Sequence, residues 1–325
     1  MTINTSIIIV NWNGYDHLAT CLSSVFKQTY KNFEVIFIDN GSTDDSVEYV
    51  KQNFPQVRIM VSKKNHGFAD GNNIGIGQAL KNPEIQYIAT LNNDTEVDQD
   101  WLKQLITVVE QDERIGAVSS KILFFNQRNI IDSTGDFLLS GGLKVVARGY
   151  KQEDKGQFDK IEECFSARAG AALYRGQMLE EVCLNGEYFD SHYFAYIEDV
   201  DLSIRARFLG WKIMYAPKAI VYHKVAATTK EISYIFRRYR AGRNRLFTAI
   251  KNLPLALWPV ALRQTTSVDV DYKLTFLQNL IIYLKIIGST IVSLPRLLRQ
   301  RRQIQQSKKI SNKEIYQWLK QLAIE

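Results

Sequence analysis

Along the first hundred residues, short apolar runs rich in Ile, Val and Phe alternate with longer stretches in which apolar residues recur every three or four positions. Ser6–Val10, Phe33–Ile38, Val57–Val61 and Gln86–Leu91 follow the first pattern and predict strands. His17–Lys27, Asp44–Asn53 and Phe68–Lys81 follow the second and predict helices, with Ser42-Thr43-Asp44-Asp45 offering N-cap side chains and first-turn acids to the middle one. Strand–helix alternation implies a parallel sheet with right-handed crossovers, whose ligands bind beyond the C-terminal strand ends. Each predicted strand is followed by a polar, turn-forming cluster: Asn11-Trp12-Asn13, Asp39-Asn40-Gly41, Asn65-His66-Gly67 and Asn92-Asn93-Asp94. Turn chemistry explains any one of them. Four on one rim, two of them with a carboxylate, point to a site for an anion or a metal-dependent ligand.

Beyond this half the chain predicts a helix at Trp101–Gln111, a strand at Gly116–Ile122, a loop-rich middle at Phe125–Glu163, an apolar segment at Ala169–Tyr174 and a helix near Gln177–Cys183. The stretch Tyr193–Trp211 and the strand Ile213–His223 follow. A 325-residue chain that is 46% hydrophobic and 23% charged is not a disordered one. Cys21, Cys164 and Cys183 form no Cys-x-x-Cys pair, which argues against a disulfide scaffold or a cysteine-built zinc site. The first residues resemble no secretory signal, so a cytosolic location is expected.

The net charge of +7 is unevenly spread: residues 1–231 carry 24 Lys/Arg against 30 Asp/Glu, and residues 232–325 carry 17 against 4. A basic C-terminal region, 232–325, is therefore set apart from residues 1–231. It is also apolar at Leu253–Leu262 and Phe276–Leu294. Leu274–Leu294 approaches the roughly 20 residues of a membrane span, but Lys285 in its centre makes insertion costly. The expectation is an interfacial amphipathic helix followed by a polybasic run, Arg296, Arg299, Arg301, Arg302, Lys308 and Lys309, that meets an anionic membrane surface. A helical subdomain packed on the core, or a contact in a homo-oligomer, is the alternative. No zinc-finger or RNA-recognition pattern accompanies the charge, so nucleic acid is not expected.

Ile7–Asn13, Phe33–Asp44, Asn65–Gly75, Leu91–Asp94 and Glu198–Leu202 together resemble, in order, the successive motifs of family 2 glycosyltransferases. Asp132–Asp136, Arg148-Gly149, Asp154–Gln157 and Gly170–Arg175 are most similar to its rhamnosyltransferase-like branch. The resemblance implies an α/β GT-A fold, a Rossmann-like, mostly parallel sheet with flanking helices. Residues 1–100 would then be the nucleotide-binding half and 101–231 the acceptor-side half, with Phe125–Glu163 as a lid.

It further implies a nucleotide-sugar donor, inversion at the anomeric carbon, and a saccharide or polyprenyl-diphosphate-linked acceptor on the cytoplasmic face of the membrane. Asn11, Asn13, Asp39, Asn65, Gly67, Asn72 and Asn93 become nucleotide-binding candidates, and Asp39 would accept the N3–H of uracil or thymine, a donor that adenine lacks. That selects a pyrimidine nucleotide, dTDP-L-rhamnose before UDP-galactofuranose or a UDP-hexose. In Asn92-Asn93-Asp94 the first carboxylate of the family's Asp-x-Asp pattern is missing, so Asp94, with His223, would hold Mg²⁺ or Mn²⁺. Asp199 is the expected base that takes the acceptor's proton, with plain helix capping as the rival. Glu198, Arg168 and Arg175 would support the acceptor or its phosphates. Gly71, Gly75 and Gly77 do not have dinucleotide-fingerprint spacing, and Asn11–Gly14 lacks the arginine of a nucleotidyltransferase phosphate loop.

Overall fold

The computed structural model describes residues 3–139, 144–224, 234–265 and 274–324. The first half runs β1 (Thr5–Asn11), α1 (Tyr15–Phe26), β2 (Phe33–Asp39), α2 (Ser46–Asn53), β3 (Arg58–Val61), α3 (Gly67–Ala79) and β4 (Tyr87–Asn92). Every expected element is present. The helix starts are set differently from the reading of residues 42–45: Asp45 is the N-cap of α2 but makes no side-chain bond there. Asp44 accepts Ser46 N–H at 3.2 Å and Tyr15 N–H at 3.1 Å, fastening the beginnings of α1 and α2 together.

The second half adds β5 (Thr95–Val97), α4 (Trp101–Val109), β6 (Ile115–Phe124), β7 (Gln127–Ser133), β8 (Asp136–Leu139), β9 (Val145–Ala147), β10 (Glu162–Glu163), β11 (Ala171–Arg175), α5 (Gly176–Val182), α6 (Glu198–Phe208) and β12 (Lys212–His223). The large sheet has the order β10-β12-β6-β11-β4-β1-β2-β3. Strands β3, β2, β1 and β4 are parallel, and their register sets Asn11 beside Asp39 and Val10 beside Asn92, so the polar clusters open at one edge. Strand β11 runs antiparallel between β4 and β6, pairing Ala171 with Leu91. Its reversed direction brings the residues that precede it, Arg168–Gly170, to the same edge. Pairing of β12 with β5 sets His223 beside Thr95, and thus next to Asp94.

Successive residues of β1 bury on opposite faces. Ile7 and Ile9 pack with Leu22, Phe37, Trp101 and Leu105, while Ile8 packs with Ile36, Ile76, Tyr174 and Leu202. A sheet covered on both faces needs near-continuous apolar strands, which is why β1 and β2 read as unbroken runs. The middle segment, expected to be loop, instead holds β7 paired with β6 and a separate small sheet of β8 and β9. β8 and β9 are short, and β7 is exposed along its first half and buried along its second without alternating, so periodicity gave no sign of them.

The C-terminal region forms α7 (Tyr234–Asn252), α8 (Trp258–Thr265), α9 (Phe276–Ser307), α10 (Asn312–Gln321) and β13 (Ala323–Ile324), the last pairing with β8. Helix α9 has two faces. Ile282, Ile286 and Leu297 pack against Leu246, Phe247 and Ile250 of α7. Phe276, Leu277, Leu284, Ile291 and Val292 are 59–84% exposed. The polybasic run, expected as a whole at an anionic membrane surface, is divided between the α7 side and the exposed side. Arg296 donates to Asp190 at 2.9 Å and Arg301 to the carbonyls of Ile250 and Leu253, while Arg299 and Arg302 stay exposed. Two helical turns of arginines cannot all face one way, and those on the α7 side meet buried acceptors.

Candidate active site

The strand-end clusters join in one hydrogen-bonded rim. Asn93 Nδ2 donates to Asn11 Oδ1 at 2.6 Å, and Asn11 Nδ2 donates to Ser42 Oγ at 3.1 Å and Asp39 Oδ1 at 3.4 Å. Asn13 N–H donates to Ser42 Oγ at 2.9 Å, and Asn13 Oδ1 accepts from Thr43 N–H at 2.8 Å. Asp39 is buried and its Oδ2 accepts Ser42 N–H at 3.1 Å, so it holds the turn. A carboxylate has about four lone-pair sites, which leaves Asp39 capacity for a further donor. Asn65 Oδ1 accepts from Asn40 Nδ2 at 3.0 Å and Gly67 N–H at 2.8 Å. Gly67 has φ +86°, and a Cβ there would strike the carbonyl oxygen and ring of Phe194, so no other residue suits the position.

In front of this rim lies a cavity of about 530 Å³. Of the expected site residues, Asn65, Gly67, Asn93, Asp94, Arg168, Glu198, Asp199 and His223 line it, as do Asp136 and Arg245. Asn11, Asn13 and Asp39 sit in the rim behind. Two residues go elsewhere. Asn72 donates within α3 to the Phe68 carbonyl at 2.9 Å. Arg175, expected at a phosphate, donates instead to the carbonyls of Ile115 and Val109 at 3.0 and 2.7 Å. It is the last residue of β11, and the strand's direction carries it away from the edge that Arg168 reaches.

Across the cavity wall charges of opposite sign alternate. His223 Nε2 lies 3.3 Å from Asp94 Oδ1, and His223 Nδ1 lies 3.0 Å from Asp132 Oδ2. Arg168 is 3.6 Å from Asp132 and 3.0 Å from Asp136. Burial opposes ionisation of Asp94, but the His223 hydrogen bond and charge outweigh it and hold the carboxyl below its usual range. Burial likewise works against a charged His223, and its bonds to Asp132 and Asp94 prevail, raising it to about 9.

Asp199, at the start of α6, is pushed up to about 6 by burial and by the charge of Asp136, while the Ala169 N–H and Arg168 favour its anion. Its Oδ2 accepts from Ala169 N–H at 3.1 Å. The N-cap of α6 is Ile197, so Asp199 is not the cap residue, although its Oδ1 accepts the first-turn N–H of Val200 at 2.8 Å. Glu198 is held well above the usual glutamate range by burial and by Asp199, and its Oε2 is buried without a hydrogen-bond partner in the protein. One carboxyl is thus kept as an acid beside another that ionises near neutrality.

The residues before α6 form a strained turn that the sequence did not announce. Phe194, Tyr196 and Ile197 have φ of 65°, 73° and 72°. Non-glycine residues in the left-handed region cost on the order of 1–3 kcal/mol each and persist only where neighbours over-determine them. Here the neighbour is α7. Fully buried Asn244 directs its Nδ2 at the carbonyls of Tyr193, Ala195 and Tyr196, at 3.1, 3.0 and 2.7 Å, and Arg243 donates to the His192 carbonyl at 2.6 Å. A buried Asn on an otherwise arginine-rich helix was the available signal.

Raised to about 9, His223 carries on Nε2 a proton directed at Asp94; a divalent ion taking that proton's place would meet the Asp94 oxygen and Nε2 at one point, with Asp132 on Nδ1 orienting the ring, the usual support of a metal-ligating histidine. The pair fits a divalent cation. A second cluster, Glu187, Asp190 and His192, brings its ligand atoms within 4.8 Å of one another. There, however, Asp190 already pairs with Lys251 at 2.7 Å and Arg296 at 2.9 Å, and those cations neutralise it.

A doubly covered sheet with a strand-end rim, a cation-ready carboxylate and a high-pKa carboxylate across one cavity is the plan of a GT-A glycosyltransferase. The model of "Glycosyl transferase family 2" matches residues 6–182, over half of the sequence, and the chain belongs to that family. It is 26% identical over 249 residues to the N-acetylglucosaminyl-diphospho-decaprenol L-rhamnosyltransferase of Mycobacterium tuberculosis, covering 70% of this chain and 78% of that protein. It is 28% identical over 229 residues to the amylovoran biosynthesis glycosyltransferase AmsB of Erwinia amylovora, covering 69% of this chain and 70% of that protein. Against two other curated relatives the chain spans only 27% and 42% of their lengths. In fold it is similar to a mannosyltransferase of Pyrobaculum calidifontis solved with GDP-Man and Mn²⁺, with TM-score 0.55, 14% identity, and coverage of 91% of this chain and 76% of that one.

Proposed function

We propose that the protein transfers a sugar from a pyrimidine nucleoside diphosphate to a hydroxyl of a saccharide or lipid-linked saccharide, with inversion, in the synthesis of surface polysaccharide or cell-envelope glycan. The observation that carries this reading is the cavity lined at once by Asp94, His223 and Asp199. Asn11, Asn13, Asp39, Asn65 and Asn93 hold the nucleotide, Asp39 through the base. Asp94 and His223 hold Mg²⁺ or Mn²⁺, which when bound neutralises charge building on the departing diphosphate. Asp199, ionised above about pH 6, takes the acceptor proton as the new bond forms. Protonated Glu198 donates a hydrogen bond to acceptor or sugar, and Arg168 holds Asp136 and Asp132 in place beside them. The name of the rhamnosyltransferase relative supports L-rhamnose as the sugar and a polyprenyl-diphosphate-linked saccharide as acceptor, and that of the amylovoran relative supports polysaccharide synthesis. With a base read by Asp39, the donor is dTDP-L-rhamnose first and UDP-galactofuranose or a UDP-hexose next.

The exposed apolar face of α9, with Lys285, Arg299 and Arg302 and no acid anywhere on the helix, supports work at the anionic cytoplasmic face of a membrane rather than a homo-oligomer contact. A panel of nucleotide sugars with Mg²⁺ or Mn²⁺ tests the donor reading by thermal stabilisation and release of nucleoside diphosphate. One pyrimidine nucleotide sugar should stand out. Stabilisation by purine donors alone, or by none, contradicts the reading.

A further inference from the structure

The segment Tyr188–Ile197 leads into α6 and carries a single short helical turn, Ser191–Tyr193. Phe189 is fully buried within it, so its backbone N–H and C=O need partners inside the protein. Both come from one side chain. Asn73 of α3, 9% exposed, accepts Phe189 N–H at 2.9 Å and Tyr188 N–H at 3.2 Å on Oδ1, and its Nδ2 donates to the Phe189 carbonyl at 2.7 Å. A side-chain amide presents an acceptor and a donor at once, as a neighbouring strand would. Helix α3 touches the segment again further on: Ala69 N–H, which as a first-turn donor has no partner within the helix, donates to the Phe194 carbonyl at 3.1 Å. Asn72, expected at the nucleotide, turns to its own helix, whereas Asn73 reaches the segment that ends at the base.

We propose that Asn73 is a positioning residue for the reaction: it ties the helix that opens at the nucleotide rim to the segment that ends in Glu198-Asp199, so that donor and base are placed as one unit. This rests on the glycosyl-transfer reading and adds to it a residue that touches no substrate. The left-handed backbone at Phe194, Tyr196 and Ile197 persists only while its surroundings over-determine it. Asn244 of α7 holds the carbonyls of Tyr193, Ala195 and Tyr196, while Asn73 and Ala69 of α3 hold Phe189 and Phe194. The two helices thus grip different atoms of one turn. With the α3 grip removed, the turn is held from one side and Asp199 shifts. The strand-end rim keeps its shape, because Asn11, Asp39, Ser42 and Asn93 bond to one another and not to this segment.

Nucleoside diphosphate release from the nucleotide sugar that the panel identifies, together with calorimetry of UDP and dTDP in Mn²⁺, tests the proposal on the full chain. Asn73→Ala should lower kcat about 10- to 100-fold, the range of a displacement of about 1 Å at the chemistry, and leave nucleotide affinity unchanged. Asn73→Asp keeps the acceptor for both N–H groups and loses the donor, so its loss should be smaller, and it serves if the alanine variant does not fold. Combined with Asn244→Leu, the loss should fall well short of the product of the single losses, because both side chains act on one turn. A residue that only stabilises the fold would lower the melting temperature and leave the kcat of folded molecules intact. Near-original turnover in the folded variants, a fall in nucleotide affinity that matches the fall in kcat, or single losses that multiply in the double variant overturns the assignment and leaves the transfer reading standing. No release from any donor by the unaltered chain defeats the transfer reading and the positioning role with it.

Discussion

The two faces of α6 carry carboxylates two residues apart in opposite surroundings. On the cavity face, Asp199 has burial and Asp136 against its ionisation, and is raised to about 6. On the back face, Asp201 is fully buried too, yet Lys251 and Arg205 overcome burial and hold it below its usual range. Lys251 lies 3.0 Å from Asp201 and 2.7 Å from Asp190, and Arg296 reaches Asp190 from α9. Helices α7 and α9 thus give Asp201 and Asp190 close cationic partners, whereas Arg168, the cation acting on Asp199, is shared with Asp136 and Asp132. The same side chain is held as an anion on one face and ionises near neutrality on the other, according to how closely positive charge is placed beside it.

The two faces also respond oppositely to pH. A depressed carboxyl contributes stability that is present above its unfolded pKa and lost as pH falls through the folded one, which describes Asp201 and Asp190. A raised carboxyl contributes stability that is present below its unfolded pKa and lost as pH rises through the folded one, which describes Asp199 between roughly pH 4 and 6.

Substitutions separate the faces. Asp199→Asn should lower kcat by about 10³-fold, within the usual range for a general base, leave nucleotide-sugar affinity unchanged, and raise the melting temperature near pH 7.5. Kinetics, calorimetry and thermal melts read the three effects. Lys251→Met strips the back face of its central cation and should cost about 3–5 kcal/mol of stability in denaturant titrations, with Asp201→Asn in the same chain restoring part of it. Recovery would show that the loss came from stranded charge and not from packing. Asn244→Leu removes the donors that hold the strained turn beneath α6. A displacement of about 1 Å at the chemistry costs up to roughly 10²-fold, so kcat should fall about 10- to 100-fold while the nucleotide KM stays near its original value.

Legibility followed the range of the interactions. Strands β1 to β4 and their polar clusters were readable because each lies within a few residues of its own signal. That Asp199 lies at the cavity was readable through motif order alone, since in isolation it looks like a helix cap. The support around it was not readable. Asp132 and Asp136 stood out in the sequence without a role, because their partners His223 and Arg168 join them only when β7, β11 and β12 come together. Arg175 and Arg168 looked equivalent until the direction of β11 sent them to opposite ends. The division of the polybasic run depended on which side of α9 faces α7.

The pH dependence of kcat, measured with the donor that the panel identifies, bears most directly on Asp199. The account predicts an acid limb with half-maximal rate at about pH 6, absent from the residual activity of Asp199→Asn. A rate that is level from about pH 5 to 8, or an Asp199→Asn variant that keeps the same limb and near-original turnover, would contradict it.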